Sequence, residues 1–370
     1  MKFTTNTKPL AEALNLGIID SNVSNYYRKS CVTQLSANED TLTINIESSM
    51  ICTEISIKGM GVGEPATAFV DSVLFKKLIH TLDSNVTIEL DPNGVKITSG
   101  KSKFTLGNDF GDITDMSDLA LRTPIDTPDN AEFADINKED WKYIKDNQMY
   151  AVSKSFARPV YTKVWIGENG DVLTGDFELS LFTHSQKCNL GTTCLLSDTI
   201  INLMNSLPES AKITKVGTDY IVKFSKDSYD YVTQFTPQYE DDGEVGQFKA
   251  DMLINRMSHP EAGMKIFTGL VTKLLNQAIL LSSSNNNYIN MYVKDGELHL
   301  SDDNVNGAIP IDEEDNIKEF SAKFKLDLLK QVISNYGDRF INIYPIFNQD
   351  TAVGITVWNE ELTTIFAAAV

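Results

Sequence analysis

Positive charge is scarce in this chain. Lysine and arginine number 32 against 51 aspartates and glutamates, a formal net charge of −19. That balance excludes a uniformly basic nucleic-acid-binding surface. It does not exclude a chain whose few cations all face one way. Cysteine is rare too. Cys31, Cys52, Cys188 and Cys194 show neither CxxC nor Cys/His metal spacing, which points to reduced, partly buried thiols in a cytoplasmic protein. The four histidines, His80, His184, His259 and His299, stand in unrelated contexts. HExxH, GxSxG and GxxxxGK[ST] are all missing. Adjacent carboxylates such as Asp241-Asp242 and Asp302-Asp303 fall in acidic loops, whereas phosphoryl-transfer catalysis needs carboxylates that converge in a pocket. Gly59-Met60-Gly61-Val62-Gly63 leads into Glu64-Pro65 rather than a helix, and reads as a turn. The longest apolar runs, Ile279-Leu280-Leu281 and Phe366 to Val370, fall far short of the roughly 20 residues that span a bilayer. Met1-Lys2-Phe3-Thr4-Thr5-Asn6 has no apolar signal core. The expectation is therefore no enzyme, no metal, no cofactor and no membrane partner.

What is present is a repeat. Leu74, Phe75, Leu78, Ile79 and Leu82 lie at helical spacing. Alternating strands Val86 to Leu90 and Val95 to Thr98 follow around an Asp91-Pro92-Asn93-Gly94 turn, then Lys103 to Leu106. The same order returns with the helix Ile200, Ile201, Leu203, Met204, Leu207 and strands 213–216, 221–224 and 231–235. It returns again with Leu328, Leu329, Val332, Ile333, Tyr336 and strands 340–344, 353–357 and 363–366. The helix ends Leu82, Leu207 and Tyr336 are 125 and 129 residues apart. Each unit also opens on a helix and a hairpin. The helices carry Leu10, Leu14 and Ile18; Trp141 and Ile144; and Phe267, Leu270, Val271, Leu274, Leu275 and Ala278. The fold class expected is α+β, in three tandem similar domains over 1–124, 125–245 and 246–370, each with two helices on antiparallel sheet. The joints fit: 122–129 holds two prolines and no periodicity, and 240–246 is acidic with glycines.

The scarce cations gather on the helices. Lys138, Lys142 and Lys145 fall at i, i+4 and i+7, away from Trp141 and Ile144, with Lys154 and Arg158 extending the stripe. Lys76, Lys77 and His80 lie off the apolar face of their helix, Arg28 and Lys29 follow the first helix, and Lys265 and Lys273 flank the last apolar stripe. Any one such face is explained by solvation alone; recurrence in three units favours a function. Acidic residues crowd the loops instead. With the three units side by side and their sheets joined edge to edge, the helices line one face. Two chains closed into a ring would put twelve helices around a hole. A positive lining inside an acidic exterior holds a polyanion without gripping it.

In these features the chain resembles the bacterial-type DNA polymerase III β sliding clamps. The resemblance rests on Met1-Lys2-Phe3-Thr4, Phe69-Val70, Val86 to Leu90 and Ser99 to Leu106. It rests further on Thr236-Pro237-Gln238-Tyr239, Leu274 to Leu280, and Ile289 with Leu300. It runs the full length in three-domain order. It implies a clamp-fold half-ring that closes as a head-to-tail homodimer around double-stranded DNA, without sequence preference, as a replication processivity factor in the cytoplasm of a bacterium or of a virus's host. It also implies a hydrophobic pocket for short peptides of the replicative polymerase and the clamp loader, made by Tyr161, Thr174, Asp176, Phe177, Leu179, Pro237, Tyr239, Thr364 and Phe366. By the same transfer Arg28, Lys154 and Arg158 face DNA, and Phe104 and Leu106 of one chain meet Ile279 and Leu280 of the other. The alternative is a clamp-like adaptor that bridges proteins without encircling DNA.

The departures concern the pocket. The family's usual Met-Pro-Met-Arg-Leu tail is here Phe366-Ala367-Ala368-Ala369-Val370. Its Gly-His-Arg after the pocket threonine is Asp176-Phe177-Glu178, and acids follow Tyr239 where arginine is common. These changes suit a partner peptide that carries basic residues beside its apolar anchors, as for a clamp with its own dedicated polymerase.

Overall fold

The computed structural model describes residues 1–17, 32–48, 50–91, 94–107, 121–239, 248–257, 263–281, 287–311 and 319–369. Seven α-helices stand among them: α1 (Thr7–Gly17), α2 (Ser72–His80), α3 (Lys138–Asn147), α4 (Asp198–Ser206), α5 (Ala250–Met257), α6 (Thr268–Leu281) and α7 (Leu326–Ser334). Four antiparallel sheets accompany them, distributed over two compact units, Met1–Lys138 with Thr199–Pro237 and Glu139–Asp198 with Gln238–Val370.

The first unit holds a five-stranded and an eight-stranded sheet. The smaller runs Met60–Val62, Lys2–Asn6, Asn85–Asp91, Gly94–Ser99, Ser102–Gly107. Its hairpin is the one the alternation predicts, with Leu90 opposite Val95 and Ile88 opposite Ile97, all buried. The glycine-rich stretch is not a turn. Met60–Val62 pairs with Lys2–Thr4 as an edge strand. Its glycines answer to close approach: a Cβ on Gly61 would lie 2.0 Å from the Asn38 carbonyl oxygen, and one on Gly59 would meet the Phe3 ring at 2.5 Å. In α2 the Asp71 carboxylate caps the helix by accepting from the Leu74 backbone N–H at 2.7 Å. Phe75 and Ile79 form its buried face, and Leu74, expected there, is exposed. One residue is 100° of helix rotation, enough to carry Leu74 past the edge of the buried stripe.

The larger sheet runs Ala134–Asp135, Lys212–Val216, Asp219–Lys226, Tyr229–Phe235, Ile51–Lys58, Thr41–Glu47, Val32–Ala37, Ala66–Asp71. Tyr229–Phe235 joins Ile51–Lys58 edge to edge, as the repeat suggests, through seven register pairs with Tyr229 opposite Ile57. The proline-bearing joint is tied to this sheet. Buried Glu47 accepts from the Arg122 backbone N–H (2.8 Å) and from Arg122 Nε (2.6 Å), and Gln234 accepts from the Ile125 N–H (2.8 Å).

The second unit holds the order Gln238–Tyr239, Cys194–Leu196, Val164–Ile166, Asp171–Asp176, Leu181–Gln186, Thr363–Ala367, Thr351–Trp358, Phe340–Asn348, Met264–Phe267, and a four-stranded sheet Asn306–Pro310, Glu297–Ser301, Tyr288–Lys294, Ser321–Lys325. Helices α6 and α7 pack together on its main core through Val271, Leu275, Ala278, Leu329, Val332 and Ile333. Here too the sheet joins two of the expected modules, Leu181–Gln186 with Thr363–Ala367. The compact units thus share the stretch 125–245 between them, 125–138 and 199–237 in the first and the rest in the second. The division 1–124, 125–245 and 246–370 follows the repeating sequence pattern rather than these units.

Candidate functional site

Six of the nine residues the resemblance assigns to a peptide pocket lie on the strands Asp171–Asp176 and Thr363–Ala367, which flank Leu181–Gln186, and on the turn between the first and the middle strand. Register decides which face each takes, because residues directly opposite in an antiparallel sheet share a face. Thr174 is opposite Thr183, and Thr183 opposite Thr364; Asp176 is opposite Leu181, and Leu181 opposite Phe366. All six of these residues share one face. The other face carries Leu173, Gly175, Phe182 and Ile365.

On the first face the threonines are fully buried in a polar network. The Thr174 hydroxyl donates to the Gln148 carbonyl (2.9 Å), Tyr336 O–H donates to Thr364 Oγ1 (2.9 Å), and the Ser185 hydroxyl donates to Gln148 Oε1 (2.8 Å). Burial pushes the Tyr336 phenol well above its usual pKa, so it stays a donor. Phe366 is buried against Phe324, ring centroids 5.5 Å apart. Thr174, Thr364 and Phe366 therefore make a floor, not a surface.

The surface is built by a turn. The Asp176 carboxylate accepts from the backbone N–H groups of Glu178 (2.9 Å) and Leu179 (3.1 Å). This Asx-type turn directs Phe177 and Leu179 outward, 43% and 39% exposed. The Arg158 guanidinium carbon sits 3.5 Å from the Phe177 ring centroid, a cation–π contact. Glu178 accepts from the Ser155 hydroxyl at 2.8 Å. Tyr161 lies in a 3₁₀ turn that begins at Pro159, 5.8 Å from the Phe177 ring and 6.1 Å from the Phe182 ring. Burial raises the Tyr161 pKa, and the Arg158 charge opposes it. Gly175 is required by Phe182: a Cβ there would meet that ring at 2.2 Å. Tyr239 pairs with Cys194 at the edge of the sheet, and Pro237 is buried.

Sequence periodicity does not reveal the segment around α5. Phe248, Leu253 and Met257 are buried in one cluster with Val160, Tyr161, Trp165, Leu173, Phe182 and Leu195. The Phe248 ring stacks on Trp165 (6.4 Å, 19°) and lies 5.0 Å from Tyr161. A signal is there, since Leu253 and Met257 are one helical turn apart, but the acidic joint next to it makes the stretch resemble a linker.

Among the candidate DNA-facing residues, Arg28 and Lys29 lie outside the described residues. Lys77, Lys142, Lys145, Lys154, Arg158 and Lys273 are exposed, and Lys76 and Lys138 are half-buried. On α3, Trp141 and Ile144 are buried opposite the lysines as expected, while Glu139 and Asp146 are exposed between them. Lys154 and Arg158 do not continue that helix. It ends at Asn147, where Gln148 turns inward to donate to the Val172 carbonyl (3.2 Å), and both cations fall in the loop that follows. Phe104 is exposed and Leu106 half-buried on Ser102–Gly107, an edge strand; Ile279 is half-buried and Leu280 is 83% exposed at the end of α6. No cluster of three or more His, Cys, Asp or Glu with metal-binding geometry occurs among the described residues, and no helix among them is long and apolar enough to cross a membrane.

No protein-family model and no curated protein sequence matches the chain. Solved structures do. The DNA polymerase sliding clamp of Bacillus subtilis matches with a TM-score of 0.74 at 16% identity, over 100% of this chain and 99% of that one. The DNA polymerase III β subunit of Thermotoga maritima gives 0.75 at 13% identity with the same coverage. The β subunit from DNA polymerase of Streptococcus pyogenes gives 0.71 at 15%, over 100% of both chains. At such identities the backbone path is what is shared, and side-chain roles do not follow from it. Over its whole length this chain has the α+β fold of the bacterial DNA polymerase sliding clamps.

Proposed function

We propose that the chain is a non-catalytic sliding clamp: two copies close head to tail around duplex DNA, and the ring tethers a polymerase through a short peptide. The observation that carries this is the match to sliding clamps over the whole chain rather than over one part of it. Two features of the chain support it. First, Ser102–Gly107 and Asn306–Pro310 are both edge strands of their sheets among the described residues; Phe104 on the first is exposed, and so is Leu280 at the end of α6, the helix that packs against the second. A sheet edge of this kind is normally covered, and head-to-tail pairing of copies would cover both. Second, α3 presents Lys142 and Lys145 to solvent opposite its buried Trp141 and Ile144, although most of the described cations lie on strands and loops rather than helices.

Lys76, Lys77, Lys138, Lys142, Lys145, Lys154, Arg158 and Lys273, with Arg28 and Lys29, would contact phosphates without reading sequence. Exposed Phe177 and Leu179, backed by buried Tyr161, would receive the partner peptide and its aliphatic or aromatic anchors. The test is topological. Loaded protein should stay on closed circular DNA and slide off when that DNA is linearised. Equal retention on both would reject encirclement in favour of a bridging adaptor.

A further inference from the structure

Tyr161, itself buried, backs two apolar patches at once. On one side it meets exposed Phe177; on the other it meets Phe248, the residue that leads into α5. Beneath Phe248, Leu253 and Met257 lies an apolar face of sheet: Trp165, Leu173, Phe182 and Leu195, with Ile365 at its margin. Without α5 that face would be open and continuous with the Phe177 surface. Helix α5 is eight residues long, too short to persist alone in water. Its outward side is Asp251, Met252, Asn255 and Arg256, all exposed. Lys249, which precedes it, adopts a left-handed backbone at φ 52°, a disfavoured state for a lysine. Burial of three side chains on this face is what holds the segment.

We propose that α5 is a built-in, displaceable occupant of the partner groove. Residues 248–257 fill it when the protein is alone, and a partner segment of the same chemistry, one aromatic anchor followed by two aliphatic side chains a helical turn apart, takes their place. This rests on the assignment of the Tyr161–Phe177 surface to partner binding. It goes further in two ways. The groove extends past Tyr161 to Trp165 and Leu195, and partner affinity is set by competition with the chain's own segment, since only the groove-open fraction binds.

Two measurements on the full chain decide it. In native-state hydrogen exchange, amides of 251–257 should exchange at least about 100-fold faster than those of Asp171–Asp176 and Leu181–Gln186, because α5 lifts without global unfolding. Equal protection of helix and strands would overturn the proposal by making α5 an integral part of the core. Second, a fluorescent peptide of residues 247–258 should bind the folded triple variant Phe248→Ala, Leu253→Ala, Met257→Ala at least about 10-fold more tightly than the unaltered chain. A folded variant that ignores the peptide would also overturn it. Should the triple variant fail to fold, Met257→Ala alone should still accelerate exchange of 251–257 selectively; acceleration spread evenly over the sheet would count against the proposal. The parent assignment is read separately. Phe177→Ala should leave exchange of α5 unchanged and weaken a polymerase-tail peptide, so either idea can fail without the other.

Discussion

Phe177 and Phe366 are both assigned to a peptide pocket by resemblance, and their surroundings separate them. Phe177 is held out by the Asp176 turn and backed by Arg158. Phe177→Ala should lower affinity for a polymerase-tail peptide about tenfold or more, read by calorimetry, with the melting temperature nearly unchanged. Phe366 is buried on Phe324. Phe366→Ala should instead cost about 3–5 kcal/mol of stability, read by urea denaturation, and any fall in polymerase stimulation would follow from that. The thiols make a second case. Burial raises Cys52 to about 11 and raises Cys188 further, and Cys194 is fully buried. Since the thiolate is the reactive form, all three should resist a thiol reagent at about pH 8 until denaturant is added; fast labelling of any of them in the native protein would contradict this. Glu361 is a third. Hydrogen bonds from Lys187 (2.9 Å) and Arg339 (2.8 Å) hold its pKa below the usual carboxylate value. A depressed folded value means the stabilisation is present above the unfolded pKa and disappears as pH falls through the folded one. Glu361→Gln should therefore flatten part of the fall in melting temperature below about pH 4, while changing little at about pH 2.

Among the elements, periodicity finds α1, α2, α3, α4, α6 and α7 within a few residues, because each buries one stripe and solvates the rest. It finds the hairpins because a two-faced strand alternates. It misses Cys194–Leu196 and α5, whose neighbours come from distant parts of the chain. Of the candidate site, Tyr161, Phe177 and Leu179 are legible only through resemblance; nothing in Thr174 or Thr364 announces that tyrosine hydroxyls and Gln148 enclose them. The lysines of α3 are readable as a stripe, but the loop position of Arg158 is not. A charge series tests what the stripe does. Lys142→Gln, Lys145→Gln and Arg158→Gln together should weaken DNA retention and reduce the slope of log affinity against log salt by about 0.9 for each phosphate no longer neutralised. An unchanged slope would place these side chains away from DNA.

For the whole molecule, the fold is shared with sliding clamps of solved structure at 12–16% identity, so the architecture tolerates replacement of most side chains. What it needs is the pattern: apolar faces of helices against sheets. Light scattering should give about twice the chain mass of 41.2 kDa for the closed homodimer. Phe104→Asp, on the exposed edge strand, should shift the mass toward that of one chain without altering far-ultraviolet circular dichroism.

The amino-acid order by itself determined the α+β class, the positions of most helices and hairpins, and the lysine stripe of α3 opposite Trp141 and Ile144. These are local properties, set by which side chains recur at about 2 or 3.6 residues. Tertiary structure alone decided that Phe248 would lie between Tyr161 and Trp165, that Phe177 would be offered to solvent, and that Phe366 would not. Those outcomes depend on strand register between segments far apart in the chain, such as Leu181 and Phe366, where a shift of one residue exchanges the two faces of the sheet.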